Sequence, residues 1–312
     1  MITNRITTLL VAVGFLGLAG FAPAKEKDDS GMSAYKKGIE FFTSKQYEQA
    51  IEEFTKAIQA NDKQAAFYEN RGFAYMALEK GPDAAADFSK AIELAPKDER
   101  PYIGHAQASL LQKDYGQALT DAGKAVELKP DDVAAYKLRG FAQVGLNQWD
   151  KAVEDFTIAI QKQPNDPQTY DRRAFAYRGM KNYDAAIADY TALIEKNPND
   201  SETLAKRGYT YSLMLQYDKA IADYQTALKL KPDDYDTVQR LQYAQSAQKA
   251  AQGRLAARNA PPPGATPTPT PEKPGLITPL NIGIAIVVLL IIAVIVRLIT
   301  RGKEEPTSSR IR

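Results

Sequence analysis

The tightest constraint on this chain is a period. Pro96, Pro130, Pro164, Pro198 and Pro232 are each separated by 34 residues, and each is followed within two positions by aspartate (Asp98, Asp131, Asp166, Asp200 and Asp233). Proline cannot continue a helix, and an Asp or Asn side chain satisfies the free amides that open the next one. Three more series keep the same step of 34: Ala50, Ala84, Ala118, Ala152, Ala186, Ala220; then Ala57, Ala91, Ala125, Ala159, Leu193, Ala227; then Gly38, Gly72, Ala106, Gly140, Ala174, Gly208. Small residues at these places let two antiparallel helices approach at the close end of the usual spacing of roughly 8–10 Å. Large residues fill the gaps: Phe54, Phe88, Phe156, Tyr190 and Tyr224 on the second helix, and Tyr47, Tyr115, Trp149, Tyr183 and Tyr217 near its start. Between the caps apolar residues recur at three and four, as in Ala152, Val153, Phe156, Ala159 and Ile160, which marks an amphipathic helix. A helix pair repeated six times is an all-α chain whose units must stack to bury their apolar faces.

Stretches such as NRGFAYMALEKGPDAAADFSKAIELAPKD (Asn70–Asp98) and RRAFAYRGMKNYDAAIADYTALIEKNPND (Arg172–Asp200) resemble the tetratricopeptide repeat family. The resemblance covers residues 31–234, two thirds of the chain. It implies a right-handed superhelical solenoid of six helix-turn-helix repeats, with a concave groove lined by the first helices. The departures are local: Asn61-Asp62 stands where other repeats have proline, and Ala122 replaces the large aromatic. After Asp234 the pattern fades. Val238, Leu241, Ala244 and Leu255, among many glutamines, read as a capping helix over 235–258 that covers the last repeat.

In the family the groove is lined by about the second, fifth, ninth and twelfth residues of each first helix. Here the ninth series is Ile39, Phe73, Gln107, Phe141, Phe175 and Tyr209, and the fifth is Tyr35, Glu69, Ile103, Lys137, Asp171 and Ala205. Arg172 and Arg178 sit nearby. The candidate partner-binding residues are therefore Phe73, Phe141, Phe175, Tyr209, Glu69, Lys137, Asp171, Arg172 and Arg178. Aromatic faces with scattered charges suit an extended peptide or a partner helix. The competing reading is that the rings only pack one first helix against the next.

A second charged series has a structural reading. Lys37, Arg71, His105, Arg139, Arg173 and Arg207 occupy equivalent places, as do Glu53, Asp87, Asp121, Asp155, Asp189 and Asp223. One base and one acid in every repeat predict an ion-pair ladder between helices, with His105 as the variant member. Some family members bind acidic C-terminal peptides of chaperones through a two-carboxylate clamp, which needs a lysine and an asparagine on the first helix of the first repeat. Tyr35 and Ile39 hold those places; Asn70 matches a later clamp position, but Gly104 stands where an arginine is needed. A chaperone-tail receptor is disfavoured.

The two ends read as targeting segments. Residues 1–24 carry Arg5 as their only charge, an apolar run over 6–18, and Ala22-Pro23-Ala24, the pattern of a cleaved signal peptide; an uncleaved anchor is the competing reading. Residues 259–279 form a Pro/Thr-rich linker, with eight prolines from Pro261 to Pro279. Residues 280–300 hold an uncharged run, Ile282–Val296, long enough with its apolar flanks to span a bilayer. Arg297, Arg301 and Lys303 place the tail 301–312 in the cytoplasm. The expectation is a single-pass membrane protein in contact with the lipid bilayer through 280–300, its repeats periplasmic or extracellular.

Composition removes most chemistry. Cysteine is absent and His105 is the only histidine, so thiolate and multi-histidine metal sites are excluded. No phosphate-binding glycine loop and no H-E-x-x-H motif occurs. Residues 25–258 carry 33 basic and 35 acidic side chains, a net of −2, which argues against nucleic acid as a partner. No enzyme, no cofactor and no small-molecule substrate is expected. The chain reads as a membrane-anchored scaffold for protein–protein interaction, in assembly of an envelope or membrane complex. The alternatives are a tail-anchored, cytoplasm-facing receptor or co-chaperone and a non-catalytic subunit of a membrane enzyme complex.

Overall fold

A computed structural model describes residues 31–259. The expected signal peptide (1–24), the proline-rich segment from residue 260, the span (280–300) and the tail (301–312) lie outside the described residues. Among the described residues no helix is long and apolar enough to cross a membrane. The chain divides into two units, one up to Gly253 and one from Arg254.

All regular structure among the described residues is α-helix. Six pairs follow one another: α1 (Met32–Thr43) with α2 (Tyr47–Ala60), α3 (Ala65–Ala77) with α4 (Gly81–Leu94), α5 (Glu99–Leu111) with α6 (Tyr115–Leu128), α7 (Val133–Gly145) with α8 (Trp149–Lys162), α9 (Pro167–Gly179) with α10 (Tyr183–Lys196), and α11 (Ser201–Leu213) with α12 (Tyr217–Leu230). A longer helix, α13 (Tyr235–Asn259), follows the last pair and runs one residue past the expected boundary. Each second helix packs on its own first helix and on the next one, and first helices of neighbouring repeats touch from α1–α3 through α7–α9. The first helices are therefore the inner layer and the second helices the outer.

The period sets these boundaries chemically. Asp98, Asp132, Asp166 and Asp200 each accept a hydrogen bond from a backbone amide two or three residues on, opening α5, α7, α9 and α11. Between the helices of each pair, Lys45, Glu79, Lys113, Asn147, Lys181 and Leu215 adopt φ of 57–61°. In every such turn the next amide reaches back five residues, as Gln46 N to Phe41 O at 2.8 Å and Gln216 N to Tyr211 O at 2.9 Å, which closes the first helix in a Schellman motif.

Aromatic knobs in small notches supply the core. Phe54, Phe88 and Phe156 are fully buried, with Tyr190 and Tyr224 at 1% exposure. A Cβ at Gly140 would stand 2.7 Å from the Phe156 ring, and one at Gly104 2.3 Å from Phe88, so only glycine admits the ring at these places. In the third repeat the small pair Ala106 and Ala122 replaces notch and knob, and both are fully buried. In α13, Ala244 and Leu241 pack against Ala220 and Tyr224, and Gln248 donates to Asp218, which gives the capping contact. Leu255, expected on that apolar face, is exposed.

The ladder forms in five repeats, as an Arg–Asp ion pair in four and as a His–Asp contact in the third. Arg71 donates from Nε and Nη2 to Asp87 at 2.8 Å each. The same two-pronged contact joins Arg139 to Asp155 (2.8 and 2.7 Å), Arg173 to Asp189 (2.9 and 2.7 Å) and Arg207 to Asp223 (2.9 and 2.8 Å). His105 Nδ1 lies 2.6 Å from Asp121 Oδ2. The first repeat departs from expectation. Its acid is a glutamate, one methylene longer, and Glu53 takes Lys56 of its own helix at 2.5 Å instead of Lys37.

Four of these bases also reach backwards. Arg71, Arg173 and Arg207 donate from Nη1 to Thr55, Thr157 and Thr191 at 3.0, 3.2 and 3.1 Å, and Ser89 Oγ lies 3.1 Å from His105 Nε2. These hydroxyls sit on the second helix of the preceding repeat, so one guanidinium ties three helices together. The series is interrupted at Gly123, where an added Cβ would meet nothing within 4 Å. Gly123→Thr replaces a helix-interior glycine and supplies the missing acceptor for Arg139. It should raise stability by about 0.5–1.5 kcal/mol, read as an upward shift in thermal midpoint that Gly123→Val, without the hydroxyl, does not fully reproduce.

Candidate inner-face binding site

The inner face is not uniform along the chain. At the ninth position Phe73 is 6% exposed and Gln107 1%, whereas Phe175 is 38% exposed, with Phe141 and Tyr209 half-buried. Phe73 stacks edge-on against Phe88 with ring centres 4.9 Å apart, so it belongs to the core of the second repeat and offers little surface. Gln107 leaves its Oε1 buried without a partner. Phe141 and Phe175 also pack, edge-on against Phe156 at 5.5 Å and Trp149 at 6.1 Å, but keep ring surface open.

The charged candidates divide in the same way. Lys137 pairs with Asp166 at 2.8 Å and Asp171 with Lys206 at 2.5 Å, which links the inner layer from repeat four to repeat six. Arg172 and Arg178 hold no carboxylate among the described residues, and each lies over aromatic rings. Arg172 Cζ is 5.6 Å from the centre of Phe141; Arg178 Cζ is 5.3 Å from Phe175 and 5.1 Å from Tyr209. Arg178 also donates to the buried Tyr190 hydroxyl at 3.4 Å.

Two features escaped the sequence reading. Arg240 of α13 also lies over Tyr209, at 4.4 Å from the ring centre, and it stands 34 residues after Lys206 and 68 after Arg172. The period itself was the available signal, since it continues into α13. The second feature is the Arg100 fork, which grips Asp98 at 2.6–3.2 Å and leaves Nη2 4.0 Å from Glu69. Among the described residues no group of three or more His, Cys, Asp or Glu side chains is placed to hold a metal ion.

Glu69 occupies the inner layer of the second repeat at 5% exposure. Burial pushes its carboxyl up to about 7, opposed by Arg100 and assisted by Asp98 and Glu99. Arg100 stays 4.0 Å away while its fork closes on Asp98 at 2.6 Å, and burial outweighs its pull. Burial also pushes the neighbouring Tyr35 hydroxyl, which accepts from Asn70 at 3.0 Å, up to about 12. A carboxyl raised from the usual 4.5 binds more protons folded than unfolded, so stability is lost as pH rises from 4.5 to about 7. Glu69→Gln should therefore stabilise the fold by about 1–3 kcal/mol at pH 8 and leave it unchanged near pH 4, measured by denaturant titration at both pH values.

Sequence models of one family match the repeats: tetratricopeptide repeat over residues 104–167, 167–200 and 201–234, and TPR repeat over 38–79, together more than half of the chain. No curated protein sequence matches the chain. Solved structures share the fold at low identity. YrrB, described as a TPR protein with an unusual peptide-binding site, is 22% identical with a TM-score of 0.53, over 60% of this chain and 96% of that one. PilF of Pseudomonas aeruginosa is 16% identical with a TM-score of 0.57, over 70% of this chain and 98% of that one. MamA (residue 41 to its end) from Desulfovibrio magneticus RS-1 is 19% identical with a TM-score of 0.53, over 56% and 99%. The 34-residue period, the six stacked helix pairs and these matches agree, and the chain belongs to the tetratricopeptide repeat family.

Proposed function

We propose that this protein is a non-catalytic scaffold for protein–protein interaction. It holds a partner, as an extended peptide or a helix, on the inner face of its repeats. The observation that carries this reading is the open aromatic surface of repeats four to six, centred on Phe175 and flanked by Phe141 and Tyr209. Rings fixed on packed helices give contact area with little rotamer entropy left to lose, which is what a binding anchor requires. YrrB, similar in fold, is described as having a peptide-binding site, and that supports the same use of the face here.

The apolar run at 282–296 and the basic residues after it support display from a membrane, with the repeats outside the cytoplasm. Tethering raises the effective concentration for a partner at the same membrane, so modest affinity suffices in assembling an envelope or membrane complex. The full chain should capture its partner from the membrane or envelope fraction of its own cells. Phe175→Ala should weaken that capture on the order of tenfold, with the thermal midpoint nearly unchanged. Capture that is indifferent to Phe175→Ala would refute the inner face as the site, and a partner recovered from the cytoplasmic fraction alone would refute the display.

A further inference from the structure

Among the described residues seven arginines lie over aromatic rings: Arg71, Arg139, Arg172, Arg173, Arg178, Arg207 and Arg240. Five of them also grip a carboxylate, at Asp87, Asp155, Asp189, Asp223 and Asp236. The two exceptions among the described residues are Arg172 and Arg178. Both sit on the inner face, on one row of α9 with Phe175 between them at steps of three.

Stacking uses the face of a guanidinium and leaves its in-plane N–H donors free, and the ring holds the fork in one orientation. At the ladder positions that geometry ends on a two-pronged carboxylate. At Arg172 and Arg178 the same stacking is present and the carboxylate is missing; Arg178 gives one Nη1 donor to the Tyr190 hydroxyl at 3.4 Å and keeps the rest of its fork. Neighbouring acids do not supply one: Asp166 is held by Lys137, Asp171 by Lys206 and Asp236 by Arg240. The two cations are not part of a generally basic surface either, since residues 25–258 carry a net of −2.

We infer that the inner face of repeats four to six is a receiving site for the carboxylates of an acidic peptide segment, with Arg172 and Arg178 each taking one. The inference rests on the inner face being the binding face. The two guanidinium groups are six residues apart on α9, about 9 Å along the helix. They lean in opposite directions, over Phe141 of the preceding first helix and over Tyr209 of the following one. One small anion cannot satisfy both; a segment with two separated Asp or Glu side chains can, while its apolar residues cover Phe175. The site differs from the two-carboxylate clamp of the first repeats, whose lysine and asparagine this chain lacks at Tyr35 and Ile39.

The test is selection of a random twelve-residue peptide library on the full chain, repeated on the double variant Arg172→Gln/Arg178→Gln. The native chain should enrich peptides with at least about twice the Asp and Glu content of the library. The glutamine variant should lose that enrichment and bind a selected acidic peptide about tenfold more weakly. The lysine variant, Arg172→Lys/Arg178→Lys, should retain part of the affinity, and equal thermal midpoints show that all three chains are folded. Selected peptides without an acid excess, or an excess that survives the glutamine variant, overturn the assignment and leave the inner-face reading standing. Recovery of no peptide by the native chain overturns both.

Discussion

A guanidinium on the first helix of four repeats, at Arg71, Arg139, Arg173 and Arg207, fixes the geometry on which everything else depends. Its fork closes on an aspartate of its own second helix, and in three repeats its remaining donor reaches a threonine on the second helix before it. An ion pair of this kind is better at selecting one arrangement than at lowering the energy of the folded state. Burial raises the Asp87 carboxyl above its ordinary value even with Arg71 beside it, so desolvation offsets much of the attraction. The driving force comes from the rings of Phe54, Phe88 and Phe156, each fully removed from water. The ladder sets the register, and the knobs supply the free energy.

That register decides which side chains face inwards. With the second helices wedged outside, the fifth, ninth and twelfth positions of the first helices, with Arg172 beside them, become the inner face. Its N-terminal half is closed by Tyr35, the buried Glu69 and the orphaned amide of Gln107. Its C-terminal half is open, aromatic and cationic. The shared fold explains why such a face exists at all; the chemistry on it belongs to this chain, since solved structures at 16–22% identity share only the framework.

How much of this could be read from residues alone follows from how local each signal is. The helix pairs, their caps and the Arg–Asp ladder repeat at a fixed step, so counting found them. The threonine acceptors obey the same step, but an uncharged hydroxyl in a helix carries no signal of its partner. The left-handed turn residues were invisible, because Lys45, Glu79 and Leu215 occupy a conformation usually marked by glycine. Lys37 and Glu53 were misread as a rung, since one extra methylene lets the acid fold back onto Lys56. The division of the inner face was the least legible feature. Phe73 and Phe175 hold the same repeat position, and only their neighbours make one core and the other surface.

The most direct test of the central claim is amide hydrogen exchange on the full chain with and without its captured partner. The account predicts slowed exchange concentrated in α7, α9 and α11, the first helices of repeats four to six, with α8, α10 and α12 unchanged. Protection confined to the second helices, or to α1 and α3, would contradict it.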